Sequence, residues 1–306
     1  MLKVFEISRM TNHNGPGIRT LIHFKGCPLR CIWCSTPESQ LRADELQLKA
    51  MKCIGDGACM EACPEDAISF EAGRQGPIID RDKCVRCFAC SDECYAGALN
   101  RVGKIWDVDA LVKEALKDEI FFKSSGGGVT LSGGEPLMYV DDEMVEFYRK
   151  LYEKGTSIGV DTTGYVPWEN IEKVLPYVDF FLWDLKIMDS KRHKELTGVE
   201  NERILENLKK VEALAKDYGT DVYIRCVQIP GMTDTDENLI ETCEFLKGMT
   251  CIKRLDLVNF HHLGKKRYEA IDRPYAMGDA EPLDGDVLLE KLALVEEWGI
   301  PCRISM

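Results

Sequence analysis

The stretch CIGDGACMEACP, beginning at Cys53, is echoed as CVRCFACSDECY from Cys84. Cys53 aligns with Cys84, Cys59 with Cys90 and Cys63 with Cys94, an offset of 31 residues, and Cys87 of the second copy falls opposite Asp56 of the first. In C-x2-C-x2-C, successive thiolates lie one tight turn apart, so three sulfurs can converge on one iron–sulfur cube. The cysteine three residues further on ligates the other cluster where there are two. Soft thiolates at this spacing favour iron–sulfur chemistry; structural zinc, the alternative, prefers two separated pairs. With seven cysteines to gather, residues 49–103 contain no long amphipathic helix.

At 306 residues, 45% hydrophobic and 30% charged, the chain can bury a sizeable core in one large domain or two smaller ones. The opening MLKVFEISRM lacks the apolar run of a signal peptide, and no stretch of about 18 apolar residues follows. A cytoplasmic location with no membrane association is therefore expected. A net charge of −13 argues against nucleic acid as a partner, which calls for a basic face. Fourteen cysteines are an unusual count, but a secreted disulfide scaffold would be shorter and carry a signal. Ten of them fall in three tight clusters; Cys226, Cys243, Cys251 and Cys302 are scattered and read as small buried hydrophobes.

From about residue 104, helix and strand patterns alternate. DVDALVKEALKDEIF sets Val108, Leu111, Val112, Ala115 and Leu116 on one helical face behind an Asp107 cap. NERILENLKKVEAL repeats the pattern with Ile204, Leu205, Leu208 and Val211, up to a stop at Gly219. Between lie the β-rich runs GVTLSGG, SIGVDTTG, DFFLWDLK, DVYIRCVQIPG and RLDLVNFHH, with RTLIHFKG ahead of them. Six strands alternating with helices predict an α/β chain of parallel βα units curved into a full or partial barrel. Residues 49–103 break that rhythm and read as a small two-fold domain inserted after the first unit.

The segment GCPLRCIWCS follows the first strand and places Cys27, Cys31 and Cys34 in C-x3-C-x2-C. Three thiolates leave the fourth iron of a 4Fe–4S cube without a protein ligand, which suits a chelating substrate. The spacing is the radical S-adenosylmethionine (SAM) signature; a three-cysteine zinc site is the alternative. Each later strand then ends in polar groups: Ser132 to Pro136 (SGGEP), Asp161 to Gly164 (DTTG), Asp184 and Lys186 (DLK), Arg225, and His261. Singly each has a bland account as a turn or a solvated charge. Together they occupy the C-terminal strand ends, where barrel enzymes keep their sites.

NGPGIRTLIHFKGCPLRCIWCSTPES, TLSGGEPL, DTTGY, DLKIMDSKRHKELTGVENERILENL and HHLGKKRYEA together resemble the glycyl-radical-enzyme activating enzymes. These are radical SAM proteins of the pyruvate formate-lyase activating enzyme type, and the likeness is to the subgroup with a two-cluster ferredoxin-like insert. The resemblance spans nearly the whole chain. It implies a radical-SAM partial (β/α)6 barrel over 1–48 and 104–306, with an inserted ferredoxin-like domain over 49–103. It implies that Cys27, Cys31 and Cys34 hold the catalytic cluster and that Trp33, Cys34 and Ser35 line the adenosyl site. The backbone at Gly133 and Gly134 would receive the methionine amino group. Asp184, Lys186, Arg225 and His261 would contact SAM, Lys186 counting with the three cysteines as catalytic. Asp161 with Thr162 would contribute to a monovalent-cation site beside the SAM carboxylate.

Crossed ligation in the insert would give one cluster Cys63, Cys84, Cys87 and Cys90, and the other Cys53, Cys59, Cys94 and Asp56, for three iron–sulfur clusters in all. As an oxygen ligand weaker than thiolate for iron, Asp56 would leave a carboxylate-ligated 4Fe–4S or a 3Fe–4S centre; the alternative is that it shapes the turn and faces water. Asn14 replaces the family's aspartate near the incoming glycine loop, Thr36 replaces an asparagine, and Tyr95 replaces the proline after the last ladder cysteine. Glu135 is typical of the family, but the residues alone assign it no contact.

The resemblance implies that SAM chelates the open iron and that one electron cleaves its C–S bond. The resulting 5′-deoxyadenosyl radical would remove a hydrogen from a glycine Cα of a partner glycyl radical enzyme, whose loop enters the barrel. The insert would relay electrons from a low-potential donor such as flavodoxin or ferredoxin, in an anaerobic cytoplasm; its alternative role is a docking surface. The competing readings are a radical SAM enzyme acting on a small molecule and a non-catalytic electron-transfer protein. The latter leaves SGGEP, DLK and His261 without a use.

Overall fold

Along the chain the strands are β1 (Leu2–Thr11), β2 (Arg19–Phe24), β3 (Glu45–Leu48), β4 (Ile68–Ser69), β5 (Ile78–Ile79), β6 (Leu99–Val102), β7 (Lys104–Trp106), β8 (Gly128–Gly133), β9 (Ser157–Thr162), β10 (Phe180–Asp184), β11 (Asp221–Gln228), β12 (Ile252–Asn259) and β13 (Cys302–Ser305). The structure is a computed structural model and describes residues 1–305. The six β-rich runs expected from the sequence are β2 and β8 to β12, and they pair in parallel in chain order. β13 adds a further parallel strand beside β12, while β1 and β7 extend the other side antiparallel. The sheet therefore runs β13-β12-β11-β10-β9-β8-β2-β1-β7 and stays open, with β13 and β7 as its edges.

The strand sequences explain this placement. β8 and β10 are buried along nearly their whole length, as expected of central parallel strands covered on both faces. β11 alternates between buried and half-buried residues, the period of a strand with unlike faces. One face packs its Ile22, Leu131, Val160, Trp183, Ile224 and Leu257 into the main core with the crossover helices.

Side-chain caps set the helix starts. Asp107 accepts from the Ala110 N–H (2.9 Å) ahead of Val108–Ala115, and Asp141 from the Met144 N–H (3.0 Å) ahead of Asp142–Glu153. Asp189 does the same for Ser190–Thr197 and Thr235 for Asp236–Leu246. Glu202–Tyr218 ends at Gly219, whose φ of 69° suits glycine. The segment DVDALVKEALKDEIF is not one helix, however. Val108–Ala115 passes through a 3-10 turn, Leu116–Asp118, into Glu119–Ser125. At that turn Asp118 points inward and accepts from Arg9 Nε of β1 (2.8 Å) and Thr20 Oγ1 of β2 (3.1 Å).

Arg19, fully buried at the start of β2, lies within the sheet at its N-terminal end. It donates to Thr130 Oγ1 (2.6 Å) and to the Val129 and Ser157 carbonyls (2.8 Å each), and its guanidinium lies 4.7 Å from the Phe180 ring centroid. Gly15 crosses the edge of the same ring with φ 119°; a Cβ there would lie 2.2 Å from Phe180.

The 31-residue repeat folds as two interlocked halves. Helix Ala58–Glu61 corresponds to Ala89–Asp92, each lying within its cysteine ladder and carrying Cys59 or Cys90. β3 pairs with β6 and β4 with β5, so each small sheet joins one strand from each half. Leu46, Ile68, Ile79, Phe88 and Leu99 pack with Cys59 and Cys90 into a separate small core. The small sheet reaches back to Glu45, whose carboxylate meets the buried Lys25 (3.2 Å) and Arg273 of the large sheet's surroundings. These contacts fix the insert beside the end of β2.

Gly15→Ala should lower stability by about 2 kcal/mol or more, from left-handed backbone plus overlap with Phe180. Gly126→Ala, at φ 69° with no atom within 4 Å of a Cβ, should show only the backbone cost of about 1 kcal/mol. Anaerobic thermal unfolding compares them; equal midpoints would contradict the packing of Gly15 on Phe180.

Candidate active site

The C-terminal ends of β2, β8, β9, β10, β11 and β12 all contribute to one cavity of about 270 Å³. A single cavity touched by all six ends requires the open sheet to curve around it. Asn14, Cys27, Cys31, Trp33, Cys34, Ser35, Thr36, Gly133, Gly134, Asp161, Asp184, Lys186, Arg225 and His261 line it. The wall also includes Ser132 and Thr163 of the SGGEP and DTTG motifs, and His23 and Phe260, which the sequence reading did not single out. The signal for His23 was positional: it lies two residues from cavity-lining Leu21 in a strand of period two.

Backbone hydrogen bonds hold the cysteine loop. The Gly26 and Cys27 N–H groups donate to the Ser39 and Gln40 carbonyls (2.7 and 3.0 Å), and those of Arg30 and Ile32 to Thr197 and Leu196 (2.6 and 3.2 Å). The loop is thus strung between the turn Pro37–Ser39 and the end of helix Ser190–Thr197. Gly134 donates to the Phe24 carbonyl and Glu135 to that of Gly26 (2.9 and 2.8 Å), drawing the SGGEP turn against the loop. A Cβ on Gly134 would lie 2.4 Å from the Gly26 oxygen, so only glycine permits this approach. Trp33 packs in an apolar cluster with Ile187, Leu196, Ile229 and Phe260.

Burial pushes the Cys31 thiol up to about 12 despite the opposing charge of Lys186, and it raises Cys27 and Cys34 as well. Thr36 offers Cys34 both its N–H and its hydroxyl. Three half-buried cysteines from one loop, with donors aimed at sulfur, fit an iron–sulfur cluster as a soft donor set.

Charges alternate around the rest of the cavity. Lys186 Nζ lies 2.9 Å from Asp184, and Arg225 Nη1 lies 3.1 Å from Asp161, which also accepts from Ser132 Oγ (2.8 Å). Burial raises the Asp161 carboxyl while Arg225 opposes it; Lys186 stays above the usual lysine value because Asp184 and Cys31 outweigh its burial. His261 Nδ1 accepts from the Leu263 N–H (3.3 Å), capping the turn after β12. Thr162, expected beside Asp161 at a cation site, sends its hydroxyl to Glu135 (2.7 Å).

Glu135 itself does not line the cavity. Its carboxylate accepts from Thr162 Oγ1 (2.7 Å), from the N–H and Oγ1 of Thr163 (2.8 Å each) and from the Leu137 N–H (3.2 Å). It staples the end of β8 to the end of β9.

The ladder cysteines lie apart from this cavity, in the insert. Cys63, Cys84, Cys87 and Cys90 surround one small apolar pocket with Leu46, Ile68 and Phe88. The charged neighbours of Cys59 are Cys53, Cys94 and Asp56. Those of Cys90 are Cys84, Cys63 and Cys87, with Cys59 of the first ladder also near. The Ala67 and Leu99 N–H groups donate to the sulfurs of Cys63 and Cys94 (3.3 and 3.4 Å), as suits thiolates on a cluster. Asp56 is exposed and accepts weakly from the Ala58 N–H (3.4 Å); Tyr95 and Asn14 are respectively exposed and half-buried.

Comparison with known proteins agrees with both halves of this picture. The profile of the Radical SAM superfamily matches residues 82–246, and that of the 4Fe-4S dicluster domain matches residues 45–95. The chain is 38% identical to the trans-4-hydroxy-L-proline dehydratase activating enzyme of Clostridioides difficile, over 99% of this chain and 98% of that one. It is 35% identical to the indoleacetate decarboxylase activating enzyme of Tractidigestivibacter scatoligenes, over 99% and 96%. A radical SAM methyltransferase from Sphaerobacter thermophilus shares the fold, with TM-score 0.54 and 15% identity over 94% of this chain and 66% of that one.

Removing the staple should loosen the site. Glu135→Ala leaves four donors without their acceptor and should cost about 3 kcal/mol. Glu135→Gln should recover less than half of that, because its amide N–H2 opposes the Thr163 donors. Denaturant midpoints of the three proteins measure this; a Gln variant as stable as wild type would contradict the carboxylate's role.

Proposed function

The chain belongs to the activating enzymes of glycyl radical enzymes, a radical SAM family, and we propose that its cavity is where SAM meets a glycine-bearing segment of a partner enzyme. When bound, the 4Fe–4S cluster supplies one electron, which breaks the SAM C–S bond to methionine and a 5′-deoxyadenosyl radical that takes a hydrogen atom from the glycine Cα. The observation that carries this reading is that three half-buried cysteines of one loop share a cavity with paired charges from three separate strand ends. A small-molecule substrate, the competing reading, has no support among relatives named for the enzymes they activate.

In this reading Cys27, Cys31 and Cys34 hold the cluster, and the pinned backbone keeps their sulfurs turned to the cavity. The carbonyls of Gly133 and Gly134 accept from the methionine ammonium. Lys186, Asp184 and Arg225 orient the charged end of SAM, with Lys186 nearest the cluster. Trp33, Ser35 and His261 enclose the adenosyl group, and the apolar packing behind Trp33 excludes water from it. The second oxygen of Asp161 serves a monovalent cation beside the SAM carboxylate. Asn14 faces the incoming segment.

The insert, residues 49–103 with the strand Glu45–Leu48 paired to it, relays electrons from a low-potential donor such as flavodoxin or ferredoxin in an anaerobic cytoplasm. Cys63, Cys84, Cys87 and Cys90 hold one of its clusters. Cys53, Cys59 and Cys94 hold the other with Asp56, whose neighbourhood to Cys59 supports the assignment. A carboxylate in a thiolate's place moves the potential of that cluster within the roughly −700 to +450 mV open to such centres.

Anaerobic reconstitution with SAM, a reductant and each candidate glycyl radical enzyme in turn should yield a glycine-centred EPR doublet with one of them, abolished by Cys31→Ala. Absence of the doublet with the wild-type protein, its clusters assembled, would overturn the reading. Asp56→Cys should change the EPR of one insert cluster and raise bound iron if the native centre is 3Fe–4S. Identical spectra and iron content would remove Asp56 from the ligands.

A further inference from the structure

His23 has no part in the roles above, yet it sits on the cavity wall. β2 turns Leu21 and His23 to the cavity and Ile22 and Phe24 into the core. The ring is held from behind. Its Nε2 lies 3.2 Å from Ser8 Oγ, and that hydroxyl is 3.5 Å from Glu6 Oε1. Glu6 is tied to Arg267 (2.9 Å), which also pairs with Glu38 (2.5 Å) in the turn that anchors the cysteine loop. Phe5 packs against the imidazole with ring centroids 5.5 Å apart.

This chain of contacts selects a tautomer. A carboxylate can only accept, so Ser8 gives its proton to Glu6 and accepts in turn from Nε2–H. Nδ1 is then the ring's acceptor, and which nitrogen carries the proton follows from the bond the other one makes. Burial lowers the pKa of His23, which keeps the ring neutral. Nδ1 is itself buried and has no hydrogen-bond partner, a state that costs stability unless something arrives to satisfy it.

The arriving group is a peptide. A glycine Cα can come within reach of a reacting atom only together with its flanking peptide units, whose N–H donors must find acceptors once water is excluded. Resting on the reading of the cavity given above, we propose that His23 is a positioning residue for the protein substrate. Nδ1 accepts a backbone N–H beside the target glycine, and Ser8 and Glu6 fix the tautomer that lets it do so. The β2 wall thereby serves the peptide, while the ends of β8 to β12 serve SAM.

Activation kinetics of the holoenzyme with SAM and the glycyl radical enzyme on which it forms the radical test this. His23→Phe keeps the ring's bulk and removes both nitrogens; it should raise the KM for the protein substrate about tenfold, with the KM for SAM changed less than about twofold. His23→Asn, whose Oδ1 stands near the place of Nδ1, should bring the protein KM back to within about threefold of wild type. A protein KM unmoved by His23→Phe would overturn the proposal, as would a SAM KM rising in parallel or an Asn variant no better than Phe. Should His23→Phe fail to assemble its clusters, Ser8→Ala, which frees the tautomer, is read by the same split: a raised protein KM supports the proposal and an unchanged one overturns it. No radical with the wild-type protein would instead defeat the reading of the cavity itself.

Discussion

Everything in the active site depends on a loop that is held by its backbone and so leaves its side chains free. Four N–H groups between Gly26 and Ile32 donate to carbonyls of two flanking elements, the turn at Pro37–Ser39 and the end of helix Ser190–Thr197. No cysteine side chain is needed to fold this loop. Three cysteines can therefore stand half-buried along one cavity without a structural bond between them, an arrangement that suits a soft metal centre. The flanking elements are themselves anchored, the turn by Lys25 at the Glu38 carbonyl (2.5 Å) and by Arg273 at the Pro37 carbonyl (2.9 Å). Because Lys25 and Arg273 also meet Glu45 of the strand that pairs with the insert, the same few residues position the catalytic loop and the cluster-bearing domain.

The second constraint is charge. Two lysine or arginine side chains and two aspartates occupy the cavity as pairs, Lys186 with Asp184 and Arg225 with Asp161. Isolated, each would be expensive to bury; paired, they present both signs to a ligand that is itself zwitterionic. Neither of these pairs has to act as a general base or nucleophile. That matches radical chemistry, in which the protein binds and orients while the cofactor supplies the reactive electron.

Much of this was legible in the sequence because the chemistry fixes spacing locally. The cysteine ladders, the strand-end motifs and the capped helices at Val108–Ala115 and Glu202–Tyr218 are all encoded within a few residues of themselves. What was hidden depends on partners far along the chain. Glu135 is mute in SGGEP, since its donors come from Thr162 and Thr163 on the next strand. The helix break at Asp118 follows from Arg9, 109 residues away. β13 is four residues long and largely half-buried, too short to show a period. Thr162 is a different case: alternation along SIGVDT sets it on the opposite face from Asp161, a signal the motif DTTG obscured.

The central claim is that this chain moves a hydrogen atom from a glycine Cα of another protein to SAM's adenosyl carbon. The most direct measurement uses the partner enzyme labelled with deuterium at glycine Cα, incubated anaerobically with the holoenzyme, SAM and reductant. Mass spectrometry of the 5′-deoxyadenosine should find one deuterium per molecule in step with radical formation on the partner. Formation of the glycyl radical with unlabelled 5′-deoxyadenosine would contradict direct abstraction in the cavity described here.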